Sequence, residues 1–202
     1  MKKILLALIL LAFSFSLFAV NRVVNPGFES WSDMYHADNW SNDSSAVFWI
    51  ERDNFRLGGF YSLLANILTQ DQTVCNVYSD TIGISPSDTY TFSTYFYDND
   101  PAVRATMYVR YFDSNKNYHS ASWSSIYTID NADWQLLTKD FIVPSGVYYA
   151  VLGFRFYDIE ASWDGDGYIN VDSVYFGNDK EVPTNIPPSI NSHTYSPGTV
   201  YE

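Results

Sequence analysis

The sequence predicts an all-β chain folded as two packed antiparallel sheets, as in a sandwich or jelly roll, and three observations lead there. Short runs rich in Val, Ile, Thr, Tyr and Phe recur from Val20 to about Lys180, the residues that suit a pleated, half-buried surface. Clusters of Gly, Pro, Asn and Asp separate them, as tight turns demand. No stretch repeats its apolar residues at helical spacing, so the βα alternation of a parallel sheet is missing.

Composition narrows the function classes. The 202 residues are 47% hydrophobic and 17% charged, too apolar for a disordered chain and sufficient for one sizeable core. The aromatic load is 6 Trp, 17 Tyr and 14 Phe. Cys75 is the single cysteine, which excludes a disulfide framework and a thiolate zinc cluster and leaves it as a buried apolar filler. A formal charge of −12 argues against a nucleic-acid partner, since such affinity rests largely on Lys and Arg neutralising phosphates. Neutral ligands and cations suit an acidic chain better.

Taken in order, residues 1–19 read as a secretory signal peptide: Met1-Lys2-Lys3 is a basic start, Ile4 to Phe18 an apolar run, and Ala19 a small residue at the exit. The run falls short of the roughly 20 residues a membrane span needs, so the mature chain is expected to be exported and free of membrane. Loss of Lys2 and Lys3 leaves 9 basic against 23 acidic residues, a charge of −14.

The predicted strands are 46–50, 61–68, 74–79, 89–97, 104–112, 124–127, 135–143, 148–157 and 168–176. Alternation assigns their faces. Tyr90, Phe92, Thr94 and Phe96 share the core side of one strand, leaving Tyr95 and Tyr97 outside; Ala150, Leu152, Phe154 and Phe156 do so in another, leaving Arg155 and Tyr157 outside. An outward face that carries aromatics is a surface on which a ligand can stack. Residues 20–180 thus form one domain, and 181–202, with Pro183, Pro187, Pro188 and Pro197 and little periodicity, read as a linker or the start of a following domain.

Several motifs stand in a fixed order. Val23-Val24-Asn25-Pro26-Gly27-Phe28-Glu29 is followed by Trp40, then Leu57-Gly58-Gly59-Phe60-Tyr61-Ser62-Leu63, Pro86-Ser87-Asp88-Thr89-Tyr90-Thr91-Phe92-Ser93, Asp133-Trp134-Gln135 running into Val143-Pro144-Ser145-Gly146, and Tyr168-Ile169-Asn170-Val171-Asp172-Ser173-Val174-Tyr175. This set, covering nearly the whole mature domain, resembles the jelly-roll carbohydrate-binding modules that accompany xylanases and glucanases in bacterial secreted proteins. The resemblance implies the fold, a polysaccharide or oligosaccharide partner, further domains of a larger secreted or cell-surface protein, and a monomer. It also implies a structural Ca2+ held by Glu29 and Asp172, with backbone carbonyls near Gly58 to Phe60 as candidates and Gly59 the one named. Calcium takes six to eight hard oxygens, and carboxylates from the two ends of the domain would pin those ends together. Trp163-Asp164-Gly165-Asp166-Gly167 lacks the spacing and closing Glu of a calcium loop and reads as turns.

Glycan binding would work by laying the apolar C–H face of a sugar ring on an aromatic ring while polar groups select hydroxyls. Tyr95, Tyr97, Tyr108, Arg110, Arg155 and Tyr157 fall on the outward sides of strands expected to be neighbours, with Trp123 and Trp49 as added platforms; Trp40 and Trp134 match positions that look structural in the resembled family. Catalysis finds little support. His36, His119 and His193 form no triad or metal pattern, and Gly-x-Ser-x-Gly, His-Glu-x-x-His and phosphate-cradling Gly loops are absent. A non-catalytic glycan-binding module is the leading expectation. A structural or adhesive cell-surface sandwich without glycan binding is the alternative, and a small glycanase, whose carboxylate pair no sequence motif marks, comes third.

Overall fold

A computed structural model describes residues 20–43, 45, 47–68, 74–160 and 166–178; the leader, the Pro-rich segment 181–202 and most of the Trp163–Gly167 turn lie outside them. Among the described residues eleven strands form: β1 (Trp40–Asn42), β2 (Phe48–Asp53), β3 (Ser62–Ile67), β4 (Val74–Ser79), β5 (Ile82–Gly83), β6 (Thr89–Asp98), β7 (Val103–Phe112), β8 (Tyr118–Tyr127), β9 (Asn131–Ile142), β10 (Tyr149–Asp158) and β11 (Gly167–Gly177). They pair antiparallel in two sheets. One runs β1-β4-β10-β7-β8, with β5 also on β10; the other runs β2-β3-β11-β6-β9. This is the two-sheet sandwich that the alternation predicts.

Each of the nine predicted runs overlaps a strand, with ends that differ by one or two residues in several of them. The two strands sequence reasoning misses, β1 and β5, have three and two residues, too few to show a period of two. β8 begins at Tyr118, six residues before the predicted start; it is an edge strand, largely exposed, so no buried face imposes alternation on its Ser-rich first half.

Aromatic rings fill the space between the sheets. Phe154 of β10 lies 5.3 Å from Trp40, 5.6 Å from Phe96 and 5.9 Å from Phe92, joining strands of both sheets at one point. Full burial of such a side chain contributes about 1.5–3 kcal/mol. The Asn25–Glu29 motif closes one end. Asn25 and Phe28 take left-handed backbone angles, φ 53° and 54°, and the Asn25 amide holds the turn by donating to the Ser30 and Asp38 carbonyls at 2.8 and 3.0 Å and accepting from the Ser30 N–H at 3.0 Å. That geometry sends the Phe28 ring into the core, 5.0 Å from Trp40, and leaves Glu29 outside it. The Val174 N–H donates to the Pro26 carbonyl at 2.7 Å, tying the motif to β11.

Candidate functional site

Register sets the outward residues of the six-stranded sheet in rows. Tyr78 of β4, Gly153 of β10, Tyr108 of β7 and Trp123 of β8 stand opposite one another in turn. Asn76, Arg155, Thr106 and Tyr127 make the next row, and Val74, Tyr157 and Arg104 the one beyond. At about 4.8 Å per strand, four strands span roughly 14 Å.

Gly153 shapes the centre of this face. A Cβ there would lie 2.2 Å from Cζ of Tyr108, so only glycine lets the Tyr108 ring lie across the neighbouring strand. Trp123 stacks on that ring, with centroids 4.2 Å apart and planes at 25°. The Arg155 guanidinium lies 4.2 Å from the Trp123 centroid, and its Nε donates to Asn76 Oδ1 at 2.8 Å. Tyr108 donates to the same Oδ1 at 3.2 Å, while Asn76 Nδ2 donates to Asp43 at 2.6 Å. Tyr78 donates to Asp43 at 3.0 Å and receives a hydrogen bond from Arg110 at 3.4 Å. Burial pushes the Tyr78 and Tyr108 phenols up, so both stay neutral hydroxyls. The result is a rigid polar network under an indole that is 40% exposed. Beside it, Arg104 lies 4.6 Å from the Tyr127 ring and 5.2 Å from that of Tyr157.

Of the seven ligand residues named from sequence, Tyr108, Arg110, Trp123, Arg155 and Tyr157 share this face. Tyr95 and Tyr97 do not. They stand on β6, which pairs with β11 and β9 in the other sheet, so the expected adjacency of all these strands is corrected; Trp49, on β2, also belongs to that sheet. Tyr97 packs 4.5 Å from Phe55 and 5.8 Å from Trp134. A period of two separates inside from outside but is the same in both sheets, which is why sequence merged them. Tyr108 needs a second correction: it is fully buried and supports Trp123 and Arg155 without presenting a ring to solvent. Asp43, Asn76, Tyr78, Arg104 and Tyr127 were missed. The outward parity of 74–79 and 104–112 would have found Asn76, Tyr78 and Arg104, whereas Asp43 lies between strands where no pattern marks it.

At the end closed by the Asn25–Glu29 motif, two carboxylates converge on the 57–61 loop. Asp172 Oδ2 accepts from the Leu57 and Gly58 N–H groups at 2.8 and 3.0 Å, and Oδ1 from Ser173 N–H at 2.6 Å. Glu29 accepts from Phe60 N–H at 2.9 Å. Ser173, φ 56°, sits in a bulge of β11, which turns Asp172 toward the loop. Burial raises Asp172 to about 6 even though these amides lower it. Gly59, φ +67°, would place a Cβ 1.7 Å from Glu29 Oε1; its carbonyl accepts from Arg56 Nε at 2.8 Å, so what it offers the carboxylate is a missing side chain. Neither carboxylate pairs with a basic side chain among the described residues, and the buried, unneutralised Asp172 beside the exposed Glu29 offers hard oxygens that fit a hard cation. Among the described residues no three His, Cys, Asp or Glu groups gather around one point, so backbone oxygens and water would complete any such shell. His36 lies on an exposed loop 2.7 Å from Asp33, and His119 beside Ser120 at 2.9 Å.

The same sandwich recurs in solved proteins. The enzymatically active domain of bacteriophage CBA120 tailspike protein 4 matches with a TM-score of 0.60 and 16% identity, over 78% of this chain and 21% of that one. The CBM22-1–GH10 modules of Clostridium thermocellum endo-1,4-β-D-xylanase 10B, complexed with xylohexaose, match at 0.56 and 13%, over 79% and 29%. TmCBM61 in complex with β-1,4-galactotriose matches at 0.51 and 14%, over 80% of this chain and 100% of that module. The fold is that of the jelly-roll carbohydrate-binding modules. At these identities the likeness to those modules is one of fold, and the chain spans about a fifth of the tailspike chain and under a third of the xylanase chain. No family model and no curated protein matches the sequence.

Proposed function

We propose that this chain is a non-catalytic module of an exported protein that binds a polysaccharide on the outer face of its six-stranded sheet. The observation that carries the reading is the Tyr78–Gly153–Tyr108–Trp123 row. It ends in an indole that is held by a buried ring and touched by Arg155, with Asn76 and Arg110 beside the row. Trp123 would take the apolar face of a sugar, and the guanidiniums and the Asn76–Asp43–Tyr78 network would meet its hydroxyls. Solved relatives of the same fold bound to xylohexaose and galactotriose support the reading. Glu29 and Asp172 are the residues that would hold a structural calcium, whose charge would neutralise a carboxylate pair otherwise held by backbone N–H groups and the Ser173 hydroxyl. The signal peptide, the monomeric state and the following domains are part of the same proposal.

Affinity electrophoresis of the chain through gels containing xylan, β-glucan, mannan or pectin tests it. Retardation on one polymer, lost on Trp123→Ala, is expected; on mutation a tenfold weaker affinity corresponds to about 1.4 kcal/mol. Tyr97→Ala probes the opposite face, and an equal loss there would move the site. Retardation on none of the gels would leave a structural or adhesive sandwich.

A further inference from the structure

The charge of the face narrows the glycan it would take. β4, β7, β8 and β10 contain three arginines, Arg104, Arg110 and Arg155, and one acid, Asp158, which has the inward parity of Phe154 and Phe156 and is buried. In a chain of net charge −12, the other strand carboxylates thus stand in the opposite sheet and the rest, among the described residues, in loops. Asp43, the carboxylate that reaches the face, is bound to Asn76 and Tyr78 rather than to an arginine, and none of the three guanidiniums pairs with a carboxylate among the described residues.

All three lie against rings: Arg104 against Tyr127 and Tyr157, Arg110 against Tyr78 at 4.5 Å, and Arg155 against Trp123. Such contacts hold a guanidinium in place, so less rotamer freedom is lost when its planar fork meets a carboxylate. Arg104 and Arg110 are six residues apart on β7, about 20 Å, and Arg155 stands beside Thr106 between them. A line of fixed cations of that length matches acid groups recurring along a polymer better than one small acid. The acidic opposite sheet lies about 10 Å behind, so a ligand on this face meets the three guanidiniums at contact distance and those acids only across the full thickness of the core.

We infer that the polysaccharide bound on this face is a polyuronate, its sugar carboxylates held by Arg104, Arg110 and Arg155 while a ring stacks on Trp123. The inference rests on the glycan-binding reading above. Its test is affinity electrophoresis of the full chain against polyglucuronate, polygalacturonate and alginate, each beside its carboxyl-reduced form, with neutral β-glucan, mannan and galactan in parallel. Expected is binding of at least one native polyuronate about tenfold tighter than of its reduced form, weakening as NaCl rises from about 50 to about 500 mM. It should fall severalfold in Arg110→Gln and in the exposed Arg104→Gln, both checked for native circular dichroism. Equal binding of native and reduced forms, or binding of neutral polymers alone, would overturn the inference and leave glycan binding standing. Binding to none of the polymers would overturn both.

Discussion

At the scale of single residues, the site depends on side chains that are missing as much as on those present. Gly153→Ala would set a Cβ against the Tyr108 ring, and the ring is packed too closely between Trp123 and β10 to give way without cost. Overpacking of this kind destabilises by about 1–3 kcal/mol. Denaturant unfolding should show that loss, and indole fluorescence should report the disturbed Trp123 stack; unchanged values of both would mean that Tyr108 has room to move. Asp98 offers a second test. It is fully buried beneath the Thr128 hydroxyl that donates to it, and burial raises its pKa to about 7. An acid whose folded pKa is raised holds its proton more tightly in the native state, so its contribution is complete below about pH 4 and is lost as pH rises through about 7. That loss should be on the order of a few kcal/mol. Asp98→Asn should flatten the stability profile between those values, and a variant profile as steep as the parent's would place the titration elsewhere.

At the scale of strands, alternation carried far and register carried the remainder. The inward rows of β6 and β10 are the ones the sequence marks, because Tyr90, Phe92, Phe96, Phe154 and Phe156 must leave water and a strand has only two sides. Which strands lie side by side is not written in any strand alone, and so Tyr95 and Tyr97 were grouped with residues of the opposite sheet. The edge position of β8 makes a prediction. Trp123 is 40% exposed on a strand with one neighbour, so Trp123→Ala should cost about 1 kcal/mol of stability, the size of an aromatic pair, while removing most of the binding. A stability loss above about 3 kcal/mol would mark the indole as a core residue instead.

At the scale of the whole molecule, the first motif, the 57–61 loop and the last strand meet at Glu29 and Asp172. If a cation joins them, its effect is global, since it ties segments about 140 residues apart in sequence. Calcium at about 100 times its Kd would stabilise by about 2.7 kcal/mol, a Tm rise of roughly 5–10 °C for a domain of this size. Chelator should reverse the rise, and Glu29→Gln and Asp172→Asn should abolish it. A Tm indifferent to calcium would show that the amide hydrogen bonds are the whole of the brace.

The pairing of Glu29 with Asp172 at the loop before Tyr61 was implied only by the resemblance, whereas the sequence by itself determined the strand content, the inward faces and the Asn25–Glu29 and Tyr168–Tyr175 motifs. Those follow from local chemistry: side-chain period, turn residues and motif order. Only the tertiary structure decided that Tyr78, Gly153, Tyr108 and Trp123 form one row, that Tyr108 is buried, and that three arginines share a face on which, among the described residues, none pairs with an acid. Antiparallel pairing joins residues up to 108 positions apart, Leu63 of β3 to Val171 of β11, and every outward residue obeys the same period of two, so the choice of neighbours comes from sheet order and the packing of Phe154 between the sheets.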